Sequence, residues 1–134
     1  MIRVAYCSEA VQPDLALLTL AEIVSVSDRN NRRDRVTGAL LVSAGRFFQV
    51  LEGAAADVDR TLARIAADPR HHRVKQVMRR DVPGRLFARW HMIAARVAPH
   101  EQATIDKAID ECHQNPVKAI DTVLTLVERQ AHQP

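Results

Sequence analysis

A chain of 134 residues, 47% hydrophobic and 26% charged, has the composition of one globular domain with a single core, too short for a catalytic domain beside a separate regulatory one. Sixteen arginines and three lysines against sixteen acids give +3 and a pI near 9.3, which permits phosphate contacts but is far from the charge density of a nucleic-acid binder. The two cysteines lie in no C-x-x-C pattern, the N-terminus has no signal architecture, and no apolar run approaches the roughly 18 residues that span a bilayer, so a reduced, cytoplasmic protein without a membrane segment is expected.

"IRVAYCS" alternates, with Ile2, Val4 and Tyr6 on one face and Arg3, Ala5 and Cys7 on the other, and reads as a strand. Pro13 and Asp14 open a helix in which Leu17, Leu20, Ala21 and Val24 recur at the helical period, running out near Arg29. "RNNRRDR", residues 29–35, reads as a polar connector, and "VTGALLVSAGRFFQVLE" as two strands joined at "SAG". Val58, Leu62 and Ile65 form the stripe of a second helix, closed by Asp68 and Pro69. "RVKQVMR" and "ARWHMIAARV" read as two further strands around the turn "DVPGR".

The order β-α-β-β-α-β-β predicts an α/β (α+β) ferredoxin-like sandwich, both helices covering one face of the sheet. Two C-terminal helices follow. The first carries the stripe Ile105, Ala108, Ile109 and Cys112; the second has Asn115 as N-cap, Pro116 in its first turn, and Val117, Ile120, Val123, Leu124 and Val127 as its apolar face. They are expected on the second sheet face or on another subunit. Residues 1–98 would form the domain and 99–134 its helical extension.

One letter breaks the pattern of "GRFFQVLEG": Gln49 shares a face with Phe47 and Leu51. If that face and the Tyr6 face meet one compartment, a phenol and an amide there need each other or a polar ligand; bonds to backbone or water are the plain alternative. Trp90, Met92 and Ala94 share one face of the last strand. Asn30 and Asn31 are helix caps or, since a carboxamide both donates and accepts, readers of a heterocycle edge. The arginines of 29–35 suit solvent or a ligand phosphate, and Arg64 with Asp68 has surface ion-pair spacing. His71, His72, His91, Cys112 and His113 offer no recognisable metal-ligand spacing, and no nucleophile, Walker or dinucleotide motif is present.

Taken in order and spacing over about residues 2–97, "YCS", "RNN" before "VTG", "GRFFQVLEG", "RIAADPRHH" and "RWHM" resemble the BLUF family, blue-light sensors that use FAD. The resemblance implies a non-enzymatic photoreceptor with FAD held non-covalently between the two helices. In it Tyr6 is the photoactive tyrosine and Gln49 the amide between it and the flavin. Asn31 would bond the flavin's C4 carbonyl edge and Asn30 the neighbouring pyrimidine edge. Arg64, Asp68 and His71 match positions near the cofactor, Ile23 and Ser27 line the ring pocket, and Trp90 with Met92 matches the family's conformationally responsive pair. Output would pass to a protein partner, with a homo-oligomer expected. A small phosphate-handling ferredoxin-like enzyme and a flavin-free interaction module are the rival readings. Arg35 stands where the family commonly has glycine before "VTG", and Ala54 where proline is frequent.

Overall fold

A computed structural model describes residues 1–10, 17–69 and 71–132. Its elements are β1 (Ile2–Ala10), α1 (Leu17–Asp34), β2 (Thr37–Ser43), β3 (Arg46–Gly53), α2 (Ala55–Ala67) and β4 (His71–Asp81), then α3 (Gln102–Asp110) and α4 (Pro116–Ala131) after one 3-10 turn at Pro99–Glu101. The expected start of α1 at Pro13 and Asp14 lies outside the described residues. Sheet order is β2-β3-β1-β4 with every pair antiparallel, which is the split βαβ arrangement: α1 and α2 each return the chain to a strand two places away in the sheet.

Alternation sorts the strands into two cores as the sequence predicts. Ile2, Val4, Tyr6, Phe47 and Leu51 pack toward α1 and α2 with Val24, Val58, Leu62 and Ile65. Ala5, Phe48, Val50 and Met78 face the other way, against Ile105, Ile109, Cys112, Ile120, Val123 and Val127 of the C-terminal helices. The second face is therefore covered by the chain itself. Asn115 caps α4, its side chain accepting from Lys118 N at 3.2 Å, with Pro116 beside it. Val117, assigned to the α4 stripe, is instead exposed in the first turn, and Ala119 and Leu126 take part in the packing.

Three local features depart from the sequence expectation. Ser43 and Arg46 pair directly, so the hairpin turn is the two residues Ala44 and Gly45, both at positive φ (51° and 76°), the backbone of a type I′ turn. The polar run 29–35 is not a connector: α1 continues to Asp34 and ends in a Schellman motif, with Val36 N bonding Asn31 O (2.9 Å) and Arg35 N bonding Arg32 O (3.4 Å). Arg35 occupies the left-handed position of that motif, φ 59°, the conformation that favours glycine.

The third departure is the expected fifth strand. Residues 90–95 lie parallel to β2, bonded through Gly38 N to Trp90 O (3.0 Å), Leu40 N to Ile93 O (2.8 Å) and Ala95 N to Leu40 O (2.8 Å), but with only one bridge, Leu40 to Ala94. Two residues of β2 span three of this segment between the first two bonds. The extra residue breaks the ladder and the alternation, as a bulge does. Gly38 itself leaves no room: a Cβ there would stand 2.0 Å from Val50 O.

Candidate functional site

The register of β1 and β3 sets Tyr6 directly opposite Gln49. Tyr6 is fully buried, and its hydroxyl donates to Gln49 Oε1. The β1–β4 pairing slips between Ala5 and Tyr6, Val77 being the extra residue, so a bulge adjusts the strand at the tyrosine. Burial, and secondarily the charge of Asp68, raises the phenol's pKa well above its usual 10. The Gln49 amide nitrogen reaches only the sulfur of Met92, at 3.6 Å, a weak acceptor. An amide that can make four hydrogen bonds thus has one strong partner and one soft one among the described residues.

Beyond Gln49, α1 and α2 enclose a cleft of about 490 Å³, within the ordinary range for small-molecule sites. From α1 it is lined by Val26, Ser27, Asn30 and Asn31, and from α2 and its end by Thr61, Arg64, Ile65, Ala67, Asp68 and Pro69, with Gln49 contributed by the sheet. Asn31 is buried, and its Nδ2 donates to His91 O at 2.8 Å, while His91 Nδ1 sits 3.0 Å from Val36 O. The end of α1 therefore grips the backbone between Trp90 and Met92. Arg64 does not rely on Asp68: its guanidinium donates twice to Asp34 Oδ2, 3.1 Å each, joining α2 to the end of α1. Arg33 first and Arg64 second hold the Asp34 carboxyl below its ordinary range, against the opposing cost of burial.

Of the residues singled out in the sequence, Ser27, Asn30, Asn31, Gln49, Arg64 and Asp68 line this one cleft, with Tyr6 and Met92 behind Gln49. Ile23 is buried one turn earlier on α1 and is not among the lining residues. His71 opens β4, and its side chain lies outside the described residues. Trp90 and Met92 do not share a face: Met92 packs with the Tyr6 core, whereas Trp90 packs with Ile93 and Ala95 toward α3 and α4, with the Arg89 guanidinium 5.4 Å from its ring centre. The extra residue in the 90–93 stretch separates them. The sequence reading missed Thr61 and Ile65 as cleft residues and Asp34 as the partner of Arg64. Their signal was the helical period, 61-64-65-68 on α2 and 27-31-34 on α1.

Three carboxamides, two hydroxyls, an arginine and an aspartate around an apolar slot suit a planar heterocycle whose edge alternates carbonyl and N–H groups. Residues 1–93 match the family described as BLUF, sensors of blue-light using FAD. The chain is 34% identical over 128 residues to the photoactivated adenylate cyclase subunit alpha of Euglena gracilis, a match covering 95% of this chain and 11% of that protein, so it spans about a tenth of such relatives. The structure of a bacterial light-regulated adenylyl cyclase superposes with a TM-score of 0.74 at 28% identity, over 94% of this chain and 40% of that one. The dark-state structure of BlrB, a BLUF protein, shares the fold with a TM-score of 0.77 at 22% identity, over 96% of each chain. Among the described residues no helix is long and apolar enough to cross a membrane. The chain thus belongs to the BLUF family of flavin-using blue-light sensors.

Proposed function

We propose that this chain holds FAD non-covalently in the α1–α2 cleft and that Tyr6 and Gln49 carry its photochemistry. The observation that carries the reading is the hydrogen bond from the fully buried Tyr6 hydroxyl to Gln49 Oε1, with Gln49 also lining the cleft. Asn31 and Asn30 meet the heterocycle's pyrimidine edge. Ser27, Arg64 and Asp68 border it, with His71 nearby and Ile23 supporting α1 from behind. Asn31 spends one amide hydrogen on His91 O and has a second for the ligand.

A bound flavin supplies a chromophore that becomes a strong oxidant under blue light. Tyr6 is then the electron donor. Its neutral phenol holds its proton firmly in the dark, but the oxidised phenol is strongly acidic and passes the proton along the existing bond to Gln49 Oε1. Electron and proton both return to Tyr6. Gln49 is left rearranged, by rotation or tautomerisation, donating toward the cleft and giving a red-shifted state. The soft contact to Met92 costs little to break, so the amide has few competitors for a new position.

Met92 and the Asn31–His91 bond link the cleft to residues 90–95, and α4 holds the far end of that segment. Gln130 accepts from Arg96 N at 2.7 Å and donates to Ala94 O at 3.2 Å. The signal leaves through this segment, with Trp90, and the α3–α4 layer to a protein partner; self-association and a cytoplasmic location belong to the same reading. An absorption spectrum tests it: a flavin band that moves red under blue light and recovers in the dark. Tyr6→Phe should bind FAD and lose the red-shifted state. A variant that switches normally would remove Tyr6 as the donor, and a colourless protein that takes up no added FAD would sink the whole reading.

A further inference from the structure

On the far side of the sheet from the cleft, Cys7 projects from β1 one residue after Tyr6, and meets Cys112 and His113 in the turn that follows α3. Both sulfurs and a His113 ring nitrogen lie within 4.8 Å of one another. Around a tetrahedral zinc ion, with Zn–S near 2.3 Å and Zn–N near 2.0 Å, such atoms are about 3.5 to 3.8 Å apart. The remaining difference, about 1 Å, is a small rotamer adjustment; His113 is exposed and free to make it.

The three groups border a cleft of about 500 Å³ that opens to solvent, giving an ion a way in and space for a water ligand. Cys112 is buried and Cys7 half-buried among apolar neighbours, so the sulfurs sit in a shell that shields them from bulk water. Three cations border the cleft, Arg46, Arg73 and Lys75, of which Arg73 is paired with Glu9 at 3.3 Å. Arg46 is already bound to the Asp110 carboxylate, and two thiolates would cancel a divalent charge. No cysteine motif announces this set because 105 positions separate its first two ligands; only the packing of the C-terminal helices on this face of the sheet brings them together.

We propose that Cys7, Cys112 and His113 form a binding site for one thiophilic divalent cation of the zinc class, with water in the fourth position. Binding forms two sulfur–metal bonds and one nitrogen–metal bond, and the two thiol protons leave to solvent. Neither electrons nor an oxidant are involved. The bound ion joins β1 to the end of α3, so it fixes the C-terminal helices to the strand that carries Tyr6. The site stands apart from the flavin cleft and does not depend on its function.

The test is calorimetric titration of the reduced full chain, in the dark, with zinc chloride and cobalt chloride in two buffers of different ionisation enthalpy. One ion per chain and two protons released are expected. Cys7→Ser and Cys112→Ser should each weaken binding by at least about 100-fold, and His113→Ala by about 10-fold. His113 is exposed, so its variant keeps the test sound if a variant at the buried Cys112 fails to fold. Absence of binding, a stoichiometry other than one, or unchanged affinity in His113→Ala together with Cys7→Ser overturns the proposal. So does reduced protein that forms a Cys7–Cys112 disulfide with hydrogen peroxide yet takes up neither metal, which would make the pair a redox element instead.

Discussion

Gln49 and Glu52 stand three residues apart on β3, both buried, on opposite faces of the same sheet, and they are held in contrasting ways. Glu52 is fully enclosed and saturated: its carboxylate accepts from Arg3 Nε (2.8 Å), Leu86 N (2.9 Å) and Phe87 N (2.7 Å). Arg85 adds a clasp on the backbone, donating to Glu52 O, Thr37 Oγ1 and Arg35 O. Gln49 has one phenol and one thioether. A buried polar group with every bond made fixes a loop; one with few bonds can be turned by a change at any of them. The same strand supplies an anchor and, in the function proposed above, a switch.

The largest way to break this contrast is Glu52→Ala, which leaves Arg3 Nε and two backbone N–H groups without their acceptor. It should cost about 3–5 kcal/mol in urea unfolding, with protection lost around residues 82–95 in hydrogen exchange. Gln49→Leu should cost only about 1–2 kcal/mol, the phenol's lost acceptor being offset by apolar packing, while abolishing the red shift. If the two variants are equally destabilised, Gln49 is an anchor as well. Arg35→Gly relieves a left-handed non-glycine residue whose carbonyl belongs to the Arg85 clasp, and should raise stability by about 0.5–1 kcal/mol without altering the photocycle.

The smallest expected effect is one of ionisation. Tyr6 is the sole tyrosine, so tyrosinate absorbance reports it alone. In denaturant the phenol is half ionised near pH 10, whereas in the folded chain its raised pKa keeps it neutral there. The neutral phenol's contribution to stability is complete below pH 10 and is lost as pH rises toward the folded value. Absorbance that rises at pH 10 in the native protein would show a phenol open to solvent.

Strand parity was legible in the sequence because alternation between two buried faces is a strong signal, and it offered Tyr6 and Gln49 as candidates for one compartment. The end of α1 was not legible. In "RNNRRDR" the exposed arginines dominate the composition, hiding that Asn31 and Asp34 lie three apart on the inward side of a helix that has not yet stopped. The separation of Trp90 from Met92 was equally hidden, since it depends on one extra residue measured against β2, a tertiary fact with no local mark. Arg64 was visible as a cleft residue but its partner was not, because Asp34 sits 30 positions away on another helix.

The irregular pairing of residues 90–95 with β2 also constrains how a message could travel. The hydrogen bonds to β2 re-form only residue by residue, so displacement along β2 would be complete only in whole residues: a half step would strand the carbonyls bound by Gly38 and Leu40. If the output proposed above runs through this segment, it would act as a ratchet with discrete teeth rather than a spring. Its reading should then be all-or-none, and the chain's lone tryptophan lies on this segment, so its emission would report two levels with nothing between them.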